Sequence, residues 1–273
     1  MVQTKEVSLK LLEDGCWMLD VFDLDNNNSM KLKWLLPVII LIIGGVLLCI
    51  KFFSRNLQSN ESILSYSLNP KKEEINFYWK KSNGERIGSL GNFKKFIEGQ
   101  NNTLLFAMNG GMFGQDFSPQ GLYIENGKFL NSIDTLNGEG NFYLKPNGIF
   151  YINFDKKAFI VETEKFNHTE NIQFATQSGP MLVINGKIHP EFRKGSKNFN
   201  IRNGVGITED DKVIFAMSKN EINLYDFAEF FQKQGCKNAL YLDGFVSRTY
   251  FPDEKWEQTD GDFGVIIGVI KPD

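Results

Sequence analysis

Asn238-Ala-Leu-Tyr-Leu-Asp-Gly-Phe-Val-Ser247 joins a short apolar run to an acidic turn. Ala239 to Leu242 is β-prone and stops at turn formers, the pattern of a buried strand. Asp243 then stands at the strand's end, and Gly244 permits a sharp change of direction. Ser247 and Arg248 follow at once, so a carboxylate, a hydroxyl and a guanidinium fall within six residues. Read alone, Asp-Gly is an ordinary turn. The residues before it place that turn in a larger unit. Leu224, Phe227, Ala228 and Phe231 recur at helical spacing, Gly235 is a ready C-terminal cap, and Val213-Ile-Phe-Ala-Met217 reads as a strand. Strand, helix and strand over 213–242 predict a βαβ-like unit that delivers Asp243 to the rim of a sheet.

Outward from this unit the chain is mostly strands and tight turns. Ile75-Asn-Phe-Tyr-Trp79 alternates, Thr103-Leu-Leu-Phe-Ala-Met108 is a continuous apolar run, and Leu90, Phe93, Phe96 and Ile97 share one helix face. Asn126-Gly127, Lys145-Pro-Asn-Gly148 and Asn185-Gly186 each divide β-prone segments and predict three hairpins. Further strands are expected at Ile172–Thr176, Asn200–Ile207 and Ile266–Ile270. The predicted class is α+β: a hairpin-rich mixed β-sheet core with a few flanking helices, preceded by one N-terminal transmembrane helix.

That helix is expected over residues 34–53. Trp34 to Ile50 carries no charge, and Phe52 and Phe53 extend it. A bilayer core needs about 17–25 helical residues, and Pro37 and Gly44-Gly45 are tolerated there. No small-residue cleavage site follows, so the segment reads as an uncleaved anchor. Residues 1–33 read as a polar tail without regular structure, with Met30 an alternative start. Residues 54–74, broken by Asn69-Pro70, read as a linker, and residues 75–273 as one globular domain. The expected placement is membrane-anchored and single-pass, with the domain outside the cytoplasm.

Composition narrows the chemistry. A net charge of −3 over 273 residues, without a basic stripe, excludes nucleic acid as a partner. Cys16, Cys49 and Cys236 are scattered and give neither a disulfide framework nor metal spacing. Only His168 and His189 exist, both in loop-like, surface-type segments, so a Ser-His-Asp triad or a multi-histidine zinc site is hard to build. Acid–base work falls to carboxylates. No cofactor is indicated, and a divalent cation on carboxylates stays open without a ligand spacing to show it.

Four strand-end segments set polar groups beside glycines: Asn109-Gly110-Gly111, Gln177-Ser178-Gly179-Pro180, Arg202-Asn203-Gly204 and Asp243-Gly244. Strand ends that converge are common ligand sites. The ordered runs Ala107-Met-Asn-Gly-Gly-Met-Phe, Ser118-Pro-Gln-Gly-Leu-Tyr, Gly140-Asn-Phe-Tyr-Leu-Lys-Pro-Asn-Gly, Ala175-Thr-Gln-Ser-Gly-Pro-Met-Leu, Ile201-Arg-Asn-Gly-Val-Gly and Ala239-Leu-Tyr-Leu-Asp-Gly resemble the phosphodiester glycosidase family. The likeness spans residues 75–270 and is nearest the family's bacterial envelope branch. One departure stands out: Phe245 and Val246 follow Asp-Gly where the family tends to glycine and serine.

The resemblance implies hydrolysis of the glycosidic bond of a sugar-1-phosphodiester. In that reaction Asp243 would be nucleophile or general base, and Arg202 would bind the phosphate bidentately. Asn109 and Gln177 would bond sugar hydroxyls or phosphate, assisted by backbone amides of Gly110 and Gly179. Ser178 and Ser247, without a histidine base, become hydrogen-bonding groups, and Gly111, Asn203, Gly244 and Arg248 complete the substrate-binding set. Asp116, Asp226 and Glu191 are open candidates for a second carboxylate. The alternative is a non-catalytic envelope module that binds phosphorylated glycans through the same pocket. The partners implied are a carbohydrate phosphodiester and, through residues 34–53, the membrane.

Overall fold

A computed structural model of the chain describes residues 4–11, 17–24, 62–167 and 171–273. The chain divides into two compact units, residues 1–58 and 59–273. In the first, β1 (Thr4–Leu11) and β2 (Trp17–Leu24) pair antiparallel. This differs from the unstructured tail expected there. The register sets Val7 opposite Val21, Leu9 opposite Leu19 and Leu11 opposite Trp17, with the pairs Ser8–Asp20 and Lys10–Met18 between them. The transmembrane expectation at 34–53 lies outside the described residues.

The second unit holds three sheets, and all their strand pairings are antiparallel. The α+β class therefore stands, with antiparallel rather than mixed sheets. The six-stranded sheet contains β3 (Ile63–Leu68), β11 (Met181–Ile184), β12 (Lys187–Ile188), β13 (Asn203–Thr208), β14 (Val213–Ser218) and β15 (Cys236–Asp243), in the order β12-β11-β15-β13-β14-β3. One five-stranded sheet has β4 (Glu74–Tyr78), β5 (Asn102–Asn109), β16 (Thr249–Phe251), β17 (Trp256–Glu257) and β18 (Ile266–Pro272), in the order β17-β16-β5-β18-β4. The other has β6 (Tyr123–Glu125), β7 (Lys128–Asn131), β8 (Gly148–Asn153), β9 (Ala158–Glu162) and β10 (Ile172–Ser178), in the order β7-β6-β10-β8-β9.

Among the described residues two helices flank the sheets: α1 (Leu90–Glu98) and α2 (Leu224–Lys233). Each starts at a side-chain cap, Ser89 accepting from Asn92 N and Asn223 accepting from Asp226 N. The βαβ-like unit takes a particular form. β14 and β15 both pair antiparallel with β13, so they run parallel to each other with β13 between them. α2 packs close over this sheet because β13 carries glycine there. A Cβ on Gly206 would lie 2.6 Å from both Phe231 Cδ1 and Cys236 Sγ.

Two further expectations are corrected. Residues 54–74 are not all linker: β3 pairs along its whole length with β14, and Leu64 and Leu68 enter the core. The Asn69-Pro70 turn breaks two strands of the domain instead of preceding it. Lys145-Pro-Asn-Gly148 is not a hairpin. Asn141–Tyr143 forms a 3-10 turn, and β8 pairs with β9 and β10. At the two hairpins that do form, Asn126-Gly127 and Asn185-Gly186, both turn residues adopt positive φ (50° and 74°, 49° and 76°). Proline cannot adopt that conformation, so Pro146 rules out the same turn at 145–148.

The core is aromatic and draws on all three sheets. Phe106 stacks on Phe215 at 5.6 Å, and Phe77 lies 5.6 Å from Phe150 and 5.4 Å from Phe174. This packing holds the ends of β5, β13 and β15 in fixed relation, and the polar site forms at those ends.

Candidate active site

β15 is buried from Ala239 through Leu242 and emerges at the half-buried Asp243. Asn203, the first residue of β13, is its ladder partner. β5, from the neighbouring sheet, ends at Asn109, which is 0% exposed. Asn109 Nδ2 donates to Asp243 Oδ2 at 3.0 Å, and Gly244 N donates to Asp243 Oδ1 at 2.7 Å. Asn109 Oδ1 accepts from Asn203 Nδ2 and from Arg248 N, both at 2.9 Å. Asn109 is thus the hub of the site: it reads the carboxylate, the next strand and the chain after the turn at once.

The turn itself is fastened. Ser247 donates to Gly244 O from its backbone N at 2.8 Å and from its hydroxyl at 2.7 Å. Gly244 is required because a Cβ there would collide with the Tyr241 hydroxyl. Phe245 stands at the corner of this turn, 88% exposed.

Burial pushes the Asp243 carboxyl up to about 6, against the opposing pull of the Gly244 N–H and the Asn109 amide. At neutral pH it is ionised yet more basic than an ordinary carboxylate, the property a general base or nucleophile needs. Asn109→Ala removes one of the two bonds that stabilise the charge. Its expected effect is a further rise of the Asp243 pKa by roughly half to one unit, readable by carbon-13 NMR titration of the carboxyl.

Several expected contacts do not reach this cluster. Arg202 is 0% exposed and lies just before β13. Its Nε donates to Ile222 O at 2.8 Å, Nη1 to Tyr241 Oη at 3.0 Å, and Nη2 to Asn198 O and Oδ1 at 2.9 and 3.2 Å. A guanidinium so engaged supports the strand end and is not the phosphate clamp expected. Gln177, also 0% exposed, accepts from Leu122 N and Asp134 N and donates to Asp134 O and Thr163 Oγ1. It pins two loop segments and has no capacity left for a sugar. Gln177→Ala would leave those buried backbone groups unpaired. The expected loss is about 2–4 kcal/mol of stability, measured by denaturant unfolding.

Ser178 Oγ donates to Leu242 O at 2.9 Å, tying β10 to β15. The Gly110 amide is spent on Val265 O, Gly111 packs on Thr176, and Gly179 packs on Asn147. These glycines fit strands together.

None of the three proposed second carboxylates joins the cluster. Asp116 accepts from Ser118, Asp226 from Asn223, and Glu191 sits on the loop after β12. The carboxylate that the network does reach is Asp260, which accepts from Arg248 Nε at 2.9 Å. Its setting, Thr259-Asp260-Gly261-Asp262, reads as a plain polar turn and carried no sequence signal. Tyr241 was likewise legible only as a strand residue. His189, expected at the surface, is buried: its ring stacks on Phe192, and burial lowers its pKa. His168 lies outside the described residues. Burial pushes the Cys236 thiol up to about 12, as befits an unreactive core cysteine. Among the described residues no group of three His, Cys, Asp or Glu side chains converges as a metal site would.

The model of a family described as phosphodiester glycosidase matches residues 102–265. The uncharacterised protein YigE of Escherichia coli (strain K12) is 40% identical over 190 residues, covering 69% of this chain and 74% of YigE. Among solved structures, the catalytic domain of zebrafish N-acetylglucosamine-1-phosphodiester alpha-N-acetylglucosaminidase, auto-inhibited by its pro-peptide, superposes with a TM-score of 0.53. That match covers 98% of this chain and 82% of the zebrafish chain, at 14% identity, and speaks to fold alone.

Proposed function

This chain belongs to the phosphodiester glycosidase family, and from that premise we propose that it hydrolyses the glycosidic bond of a sugar-1-phosphodiester. The observation that carries the reading is Asp243: a half-buried carboxylate raised to about 6 and aimed by two hydrogen bonds from Asn109 and Gly244. Glycoside cleavage passes through an oxocarbenium-like state. The ionised Asp243 would either attack the anomeric carbon or take a proton from the attacking water. The departing phosphate keeps its charge on its own oxygens, so it needs a nearby cation more than a strong acid. Arg248 supplies one. Its backbone bonds Asn109, its Nε bonds Asp260 and its Nη1 bonds Ser247 O, while among the described residues Nη2 has no protein partner. Arg248 therefore takes the role first expected of Arg202. The apolar run at 34–53 supports an envelope-side, membrane-anchored placement.

A second reading, the glycan-binding module without turnover, draws on one fact: among the described residues no second carboxylate is bonded to Asp243. The deciding experiment presents a panel of sugar-1-phosphodiesters to the full chain and assays free sugar. Release by the parent protein and not by the Asp243→Asn variant supports hydrolysis. Saturable binding of the same compounds without release supports the binding module and sinks the glycosidase.

A further inference from the structure

Phe245 is, at 88%, the most exposed large apolar side chain among the described residues. A lone exposed phenylalanine is ordinary on a protein surface. This one stands two residues after Asp243, in a turn that leaves its backbone little freedom. Gly244 N donates to Asp243 Oδ1, and the Ser247 backbone N and hydroxyl both donate to Gly244 O. Those bonds close residues 244–247 as a turn with Phe245 and Val246 at its corner. The two corner side chains part there. Val246 packs inward against the cluster that holds Ile87, Phe93 and Tyr250, and Phe245 is left to solvent.

Chain length alone keeps this ring beside the carboxylate. Two residues of backbone span at most about 7 Å, an interval that a single sugar ring bridges. A second exposed aromatic approaches the same turn. Phe199, 48% exposed, lies two residues before Ile201, whose carbonyl oxygen is 4.0 Å from the place a Cβ on Gly244 would take. The other exposed large apolar side chains among the described residues, Phe129, Leu130, Ile133, Leu136 and Phe154, belong to a separate stretch of chain.

An exposed aromatic ring has a chemical preference. Its face is electron-rich, and covering it removes apolar surface from water. A pyranose offers the complement: C–H groups point together from one face, while the hydroxyls radiate from the rim and keep their hydrogen bonds. Phosphate has no such face.

We propose that Phe245 is a binding residue that stacks on the C–H face of the sugar whose anomeric carbon meets Asp243. It selects against a sugar with an axial hydroxyl on that face, because the hydroxyl would give up water for carbon. That the stacked sugar is the one cleaved rests on the glycosidase reading; the stacking itself does not.

The test uses the full chain in two arms. In the first, sugar release from sugar-1-phosphodiesters is followed. Phe245→Ala is expected to raise KM about tenfold with kcat within about twofold, and Phe245→Trp to keep the parental KM. Both should keep the parental Tm, since so exposed a ring has little packing to lose. The aromatic control is Phe154→Ala. Phe154 follows β8 at the end opposite Gly148, whose ladder partner Ser178 bonds the Leu242 carbonyl, so it lies about 20 Å away along the strand. A parental KM in Phe245→Ala, or an equal rise in Phe154→Ala, overturns the platform. The second arm needs no turnover. Tryptophan emission of Phe245→Trp, less that of the parent, is titrated with the same phosphodiesters and with inorganic phosphate. A saturable blue shift with the sugar compounds and none with phosphate is expected. No shift with any sugar compound, or the same shift with phosphate alone, overturns the stacking. A shift without sugar release by the parent refutes the glycosidase and leaves the platform standing in a glycan-binding module.

Discussion

Asp243→Asn is expected to lower sugar release about a thousandfold or more while the protein stays folded. The substitution keeps the shape of the side chain and removes the carboxylate that Asn109 and Gly244 aim. The same change has a stability signature with a definite sign. The Asp243 carboxyl moves from an ordinary 3.8 to about 6 on folding, so the folded state holds the proton more tightly. The cost of burying its charge is absent below pH 3.8, grows between 3.8 and 6, and is complete above about 6. Asparagine never bears that cost. The Tm of the variant relative to the parent should therefore rise between pH 4 and pH 7, whatever offset its altered bond to Asn109 introduces. Parallel Tm curves for the two proteins would show that Asp243 is not a charge held against burial. For the parent, kcat/KM should fall about tenfold per pH unit below 6 if the ionised form reacts. A rise toward acid would instead make Asp243 the proton donor.

Arg202→Met should act on the fold. Removal of the guanidinium leaves Ile222 O, Asn198 O and the Tyr241 hydroxyl facing an apolar group in a buried place. The expected cost is about 3–5 kcal/mol, which for a domain of this size lowers Tm by roughly 6–20 °C. Arg202→Lys should recover little of it, because one ammonium cannot bond in the three directions that the planar guanidinium spans. The contrary result is as informative. A variant with parental Tm and a large rise in KM would mean that Arg202 touches the phosphate directly and that its inward bonds are dispensable. Differential scanning calorimetry beside substrate titration separates the two.

These two residues also mark where sequence reasoning succeeds and where it stops. Asp243 was legible because the signal is local: an apolar strand run, then an acid, then a glycine that can turn. Arg202 offered an equally local pattern, a guanidinium among an asparagine and glycines, and that pattern points to the wrong role. Which way the side chain goes depends on Asn198, Ile222 and Tyr241, which the sheet and the loops bring together. Gln177 misleads for the same reason, since Leu122 and Asp134 claim its whole amide. Asn109 differs in its partner: its amide meets Asp243, 134 residues away in the chain, where the sequence reading has it bond the sugar or phosphate.

By itself the sequence determined the helices α1 and α2, the glycine that ends the second, the Asn-Gly hairpins, most strands and the carboxylate at the end of β15. Each of these follows from side-chain period or from the backbone angles a few adjacent residues can adopt, and neither requires knowledge of distant neighbours. Only the tertiary structure decided that β3 closes the sheet edge, that Arg202 and Gln177 face inward, and that Asn109, Asn203 and Arg248 gather around Asp243. Those outcomes depend on which polar groups meet once the phenylalanine-rich core has brought three sheets together. A hydrogen-bonding group buried there must take the partner its neighbours offer, wherever in the chain that partner lies.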